Sequence, residues 1–183
     1  ELYERVGDVA KGAALMTGTK VSYRTVSAYA ELLSVPAMEA LMMEAMQEAE
    51  KPEYTDDDYE YAARFAADQA SPSIDTAILP ADQTINLGST DVGDVSWQVP
   101  TGLIGVTTEA AGCALHTWQV VAQGKSPLAH KGMHYAARIL FAAAKKLYES
   151  PERCALIQDD YQNVIGHRTY QSMLPDSVKP GDF

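Results

Sequence analysis

Basic residues are scarce in this 183-residue chain: 14 Lys and Arg stand against 25 Asp and Glu, for a formal net charge of -11. Binding to a phosphate backbone needs clustered Lys and Arg, so no nucleic-acid partner is expected. Cysteine is nearly absent. Cys113 and Cys154 lie far apart and in no Cys-x-x-Cys pair, which excludes a disulfide framework and a zinc ribbon. A reducing, cytoplasmic compartment is the default for such a chain. No apolar run approaches the roughly 20 residues of a membrane span, and no signal peptide is visible, so no membrane partner is expected. Also missing are the Gly-x-Ser-x-Gly elbow, the phosphate loop and the dinucleotide fingerprint. Neither cysteine has a nearby histidine in a nucleophile pattern. The chain starts without Met and inside a helical pattern, and reads as an excised piece of a longer protein.

Hydrophobic residues make up 46% and charged residues 21%, the balance of a globular chain able to bury a core. Leu2, Val6, Val9, Ala13 and Met16 form one stripe of a helix over 1–17, stopped by Gly18. Gly7 and Gly12 within it point to close packing. Residues 19–29 alternate with many β-branched and tyrosine side chains and read as a strand that needs partners from elsewhere. Pro36 opens a helix with Met38, Met42, Ala45 and Ala49 on its inner face. Thr55-Asp56-Asp57-Asp58 has the form of a capping box and opens a helix to about Gln69. Those acids lack the alternation and turn glycine of a calcium loop. Residues 70–93 read as a long loop, and 102–108 as a buried strand. A short helix over His116–Gln123 stops at Gly124. Ser126-Pro127 caps the longest helix, with Met133, Ala137, Leu140, Ala144 and Leu147 as its stripe, and Pro151 opens the last.

Candidate chemistry gathers where the periodicity breaks. His116 follows a glycine-containing loop after a buried strand, and neutral imidazole is the commonest protein metal ligand. A structural hydrogen-bonding role fits the same position. Ser89, Thr90 and Asp91 have three readings. They could present hydroxyls and N–H groups to an anionic substrate. Asp91 could hold a ligand histidine by its other nitrogen. The group could also cap a helix. His130 and His134 share a helix face, but Lys131 stands where zinc helices carry Glu. They read as a hydrogen-bonding residue and a surface residue.

Three runs carry a family resemblance: Gly88–Trp97 with Val99-Pro100-Thr101, then His116-Thr117-Trp118-Gln119, then Ala122–Ser126 with Ala129-His130-Lys131-Gly132-Met133. Leu2–Val6 and Lys11–Thr19 extend it to nearly the whole chain. This pattern resembles the aminobenzoyl-glutamate utilisation protein B group of amidohydrolases, in the aminoacylase and carboxypeptidase superfamily of two-metal hydrolases. Residues 110–115 depart from the group by lacking a proline-glycine loop, and Val35 stands where relatives often carry Asn.

The resemblance implies an α/β fold. Residues 1–34 would be the last helix and strand of an inserted lid that forms a dimer contact. Residues 35–183 would be the C-terminal part of the catalytic domain. It implies that His116 ligates one of two divalent metal ions, zinc or manganese. Ser89, Thr90 and Asp91 would shape the pocket or support ligands. The glutamate base and the other ligands would lie before Glu1, leaving the fragment inactive alone. The implied partners are an N-acyl amino acid such as p-aminobenzoyl-glutamate and a second copy of the chain. The rival class is a non-catalytic assembly or small-ligand-binding domain.

Overall fold

The computed structural model describes residues 1–66, 72–80 and 88–179. The described residues form seven helices and no strand: α1 (Leu2–Thr17), α2 (Pro36–Glu48), α3 (Asp56–Ala63), α4 (Val92–Ser96), α5 (Trp118–Gln123), α6 (Pro127–Glu149) and α7 (Pro151–Ile165). The expected α/β fold is therefore corrected to an all-helical one. The physical reason lies in segments 19–29 and 102–108. Both are non-helical, and neither pairs in a ladder with another described segment. Alternation prepares a strand, but only a neighbouring strand completes it.

The chain divides into two compact units, Glu1–Ala30 with Gln171–Phe183, and Glu31–Tyr170. In the first, Gly18 ends α1 in the left-handed conformation (φ 66°), its N–H donating to Ala14 and Leu15 carbonyls. The segment after it folds back on α1. Tyr23 packs edge-on against Tyr3 and lies over Gly7, where an added Cβ would sit 2.8 Å from its hydroxyl. The Tyr3 hydroxyl and Thr25 Oγ1 are 2.7 Å apart. Gly7 is thus a close-packing site, whereas nothing lies within 4 Å of a Cβ at Gly12. The predicted α1 stripe is exposed at Leu2, Val6, Val9 and Met16.

The second unit is built on α2, α6 and α7, which pack on one another, with α3 against α6. Their core holds Leu41, Met42, Ala45, Tyr135, Ile139, Ala143, Ile157 and Tyr161. Each of these four helices starts where a side chain accepts from one of its free N–H groups. Asp160 of α7 accepts from Ala37 N at 2.7 Å, which closes the start of α2. Thr55 and Asp58 form the full capping box of α3. Ser126 and Ser150 accept from the N3 amides of α6 and α7. On α2, Glu44 takes hydrogen bonds from Lys146 at 2.8 Å and Arg153 at 3.0 Å. The Arg153 bond foremost, then the Lys146 bond, lowers its pKa to about 2.

Two differences concern helix faces and ends. The inward face of α6 is Leu128, Ala129, Gly132, Tyr135, Ile139 and Ala143, while the predicted Met133 and Leu140 are 54% and 52% exposed. The helix is apolar on more than one side, and packing against α2 and α7 selects the side that is buried. Helix α3 ends at Ala63, not near Gln69, which lies outside the described residues. No described helix is long and apolar enough to cross a membrane.

Candidate functional site

Segment 102–108 runs past α6 and delivers the chain into the loop that carries His116. Ile104 and Val106 pack on the main core, and Thr107 Oγ1 donates to the Asp75 carbonyl. The passage is tight at Gly132, where a Cβ would fall under 3.0 Å from Thr107 backbone and Thr108 side-chain atoms. Glycine is required there by that close approach.

Loop 109–117 then rests on a second, smaller core of Ala62, Ile74, Ala110 and Leu128, flanked by Tyr54, Tyr59, Phe65 and Cys113. Its backbone is pinned on both sides. Ala111 N donates to the Ser73 carbonyl at 2.8 Å, and Cys113 N donates to the Ala110 carbonyl at 3.2 Å. The Cys113 thiol donates to the Phe65 carbonyl at 3.3 Å. Thr117 Oγ1 donates to the Ala114 carbonyl at 2.8 Å, closing the last turn before α5.

His116 stands in that turn with φ 62°, in the left-handed region. Among the described residues it is the one non-glycine residue with positive φ. Such a backbone costs about 1–2 kcal/mol outside glycine, and it persists only where the surroundings impose it. The imidazole is exposed. The single donor expected here is therefore presented outward on a constrained turn.

The loop is also bonded to Gln123, the last residue of α5, which has 0% exposure. Its Oε1 accepts from Ala110 N at 2.8 Å. Its Nε2 donates to the Gln119 carbonyl at 3.0 Å and to Cys113 Sγ at 3.4 Å. Every polar atom of the side chain is used, as burial of an amide demands. Sequence reasoning did not single out Gln123. The signal was an amide among Val120, Val121 and Ala122, on a short helix ended by Gly124.

The Gly88–Trp97 stretch is anchored elsewhere. Ser96 is fully buried, donating from Oγ to the Gly93 carbonyl at 2.6 Å and accepting from Leu33 N at 2.9 Å. Trp97 Nε1 donates to the Glu31 carbonyl at 3.1 Å, and the Arg168 guanidinium lies 4.8 Å over its ring. Tyr170 donates to Asp94 at 3.1 Å. Thr90 Oγ1 accepts from Val92 N at 3.3 Å, just ahead of α4. Asp91, at the start of α4, makes no cap hydrogen bond, and Ser89 is exposed. The hydrogen bonds of Thr90 and Asp91 stay within the start of α4, whereas those of Asp94, Ser96 and Trp97 run to residues 31–33 and 170. Those of the His116 loop run to Phe65, Ser73 and Gln123. Among the described residues, no hydrogen bond or ion pair joins Ser89, Thr90 or Asp91 to His116.

Other expected residues take ordinary places. His130, His134 and His167 are exposed, and Val35 is buried in the main core. Both cysteines are free. The three acids after Thr55 serve α3: Asp58 accepts from Thr55 N at 2.7 Å and pairs with Lys131 of α6. Burial alone would raise the Asp58 pKa, but the bonds from Lys131 and Thr55 outweigh it and lower it.

Beside the loop is a cavity of about 870 Å³, lined in part by Met42, Met46, Tyr54, Tyr135, Ala110 and Cys113. His116 does not line it. Among the described residues no group of three or more His, Cys, Asp and Glu is placed to hold a metal ion. A two-metal centre is therefore not formed by the described residues themselves. They fit it only as the source of one imidazole.

No family model matches the chain, and no solved structure matches it. Among curated proteins, the B subunit of p-aminobenzoyl-glutamate hydrolase from Escherichia coli (strain K12) is 30% identical over 98% of this chain. The chain spans 43% of that protein's length. The resemblance read from the three runs is thereby borne out: over almost its whole length, this chain is similar to part of one subunit of a p-aminobenzoyl-glutamate hydrolase.

Proposed function

We propose that this chain is one part of a hydrolase that cleaves an N-acyl amino acid amide, with p-aminobenzoyl-glutamate as the substrate to test first. The observation that carries the proposal is the similarity over 98% of the chain to a hydrolase subunit. The left-handed turn at His116 supports it locally, because strained backbone concentrates at functional sites.

In this reading His116 supplies one imidazole to a two-metal centre of zinc or manganese. When bound, such a centre would supply an activated water and polarise the amide carbonyl. The described residues hold a single donor at this place, and what the chain itself does is orient that donor. The turn fixes the backbone and the loop anchors keep it in place. Ser89, Thr90 and Asp91 would shape the substrate pocket or support ligands. The general base and the remaining ligands would come from other parts of the parent protein, so the chain alone would not turn over substrate. Residues 1–34 would end a lid and residues 35–183 would belong to the catalytic part. The relative is one subunit of its enzyme, which favours an assembled protein, and we propose a homodimer.

The rival reading, a non-catalytic domain that binds a small ligand, is favoured by the cavity lined with Met and Tyr side chains. One assay separates them. Purified full-length parent should release p-aminobenzoate from p-aminobenzoyl-glutamate, and chelator treatment should abolish the release. Saturable binding of p-aminobenzoyl-glutamate with no product formed would instead establish the binding domain.

A further inference from the structure

We propose that Gln123 is the positioning residue of the His116 turn: its buried amide ties the start of the loop to the helix that follows, and this closure imposes the left-handed backbone at His116. The proposal rests on the hydrolase reading only for its catalytic consequence.

The argument begins with connectivity. The loop leaves the small core at Ala110 and returns as α5 at Trp118. Between these points the chain must reverse in few residues. The side chain at the far end of α5 bonds to the amide at the near end of the loop, at 2.8 Å. The same side chain bonds to Cys113 within the loop and to the Gln119 carbonyl within α5. Ala110, Cys113 and α5 are therefore held by one group of 0% exposure. The turn at 114–117 has to span what remains. Thr117 Oγ1 closes it on the Ala114 carbonyl, and a positive φ falls on His116.

The chemistry is specific to an amide. Ala110 N needs an acceptor, and the Gln119 carbonyl needs a donor. Glutamine offers both at once. Methionine has nearly the same length and offers neither in full. An ionised glutamate keeps the acceptor and loses the donor, and on protonation regains it.

The test uses the full-length protein with its histidines ¹³C- and ¹⁵N-labelled, and His116 identified by the signal lost in His116→Gln. Gln123→Met should shift the His116 Cα and ring signals away from their wild-type positions. It should also lower kcat for p-aminobenzoyl-glutamate by about tenfold to a hundredfold, with KM little changed, since misplacing a reacting group by about 1 Å is worth that much. Ile139→Val, in the main core, lowers Tm without touching the loop and should leave the His116 signals in place. In Gln123→Glu the His116 signals should move toward wild type as pH falls and the carboxyl gains its proton. If Gln123→Met does not fold, this titration carries the test. His116 signals that stay unchanged in a folded Gln123 variant would overturn the positioning role. If they move, but the wild-type protein hydrolyses no p-aminobenzoyl-glutamate, the positioning role stands and the hydrolase reading falls.

Discussion

Gly132→Ala opposes two terms whose sizes can be set against each other. Alanine in the interior of α6 gains about 1 kcal/mol of helix propensity over glycine. Its Cβ, however, would lie 2.9 Å from Thr108 Cγ2 and 3.0 Å from the Thr107 carbonyl carbon, and closer still to the Thr107 carbonyl oxygen. Two of these atoms are backbone, on a segment held by Ile104 and Val106 in the core and by Thr107 on Asp75. They cannot rotate away. Overpacking of this kind costs roughly 1–3 kcal/mol, and a contact this short belongs at the upper end. The net loss should be about 2 kcal/mol, or roughly 4–8 °C in the Tm of a chain this size. Gly12→Ala in α1 is the matched control. Nothing lies within 4 Å of its Cβ, so only the propensity gain of about 1 kcal/mol remains. Urea titration followed by far-UV circular dichroism reads both. A Gly132→Ala midpoint at or above wild type would refute the close approach of segment 102–108 to α6.

The acid limb of stability should report Glu44. Its folded pKa is lowered from 4.5 to about 2, so its contribution is complete above 4.5 and is lost as pH falls through about 2. Glu44→Gln should flatten the dependence of Tm on pH in that window, and an unchanged slope would count against the Lys146 and Arg153 bonds. Tyr161 is 3% exposed, and its hydroxyl has no partner among the described residues. Tyr161→Phe should therefore be neutral or stabilise by up to about 1 kcal/mol, whereas a clear loss in urea would mean that the hydroxyl is bonded.

Much of the local structure was legible because its causes are local. Thr55 with Asp58, Ser126 with Pro127, and Gly18 act within a turn of the helix end they define, and all three take the expected roles. The faces of α6 were not legible in the same way. Met133 and Leu140 are as apolar as Ile139, and only the positions of α2 and α7 decide which are covered. The alternation at 19–29 failed as a strand signal for a similar reason, since pairing depends on a partner that periodicity does not contain. At the candidate site, the glycine-containing loop after segment 102–108 and the family resemblance pointed to His116. Its left-handed backbone follows from bonds made by Gln123, at the far end of α5, and spacing rules do not reach that far.

The central claim, that His116 is a metal-holding residue of a hydrolase, meets its most direct test in the metal content of the full-length protein. Elemental analysis of wild type and His116→Ala, purified side by side, should show fewer metal ions per chain in the variant. Its far-UV spectrum should be unchanged, because an exposed side chain carries little of the fold. Equal metal stoichiometry in the two proteins would contradict the account.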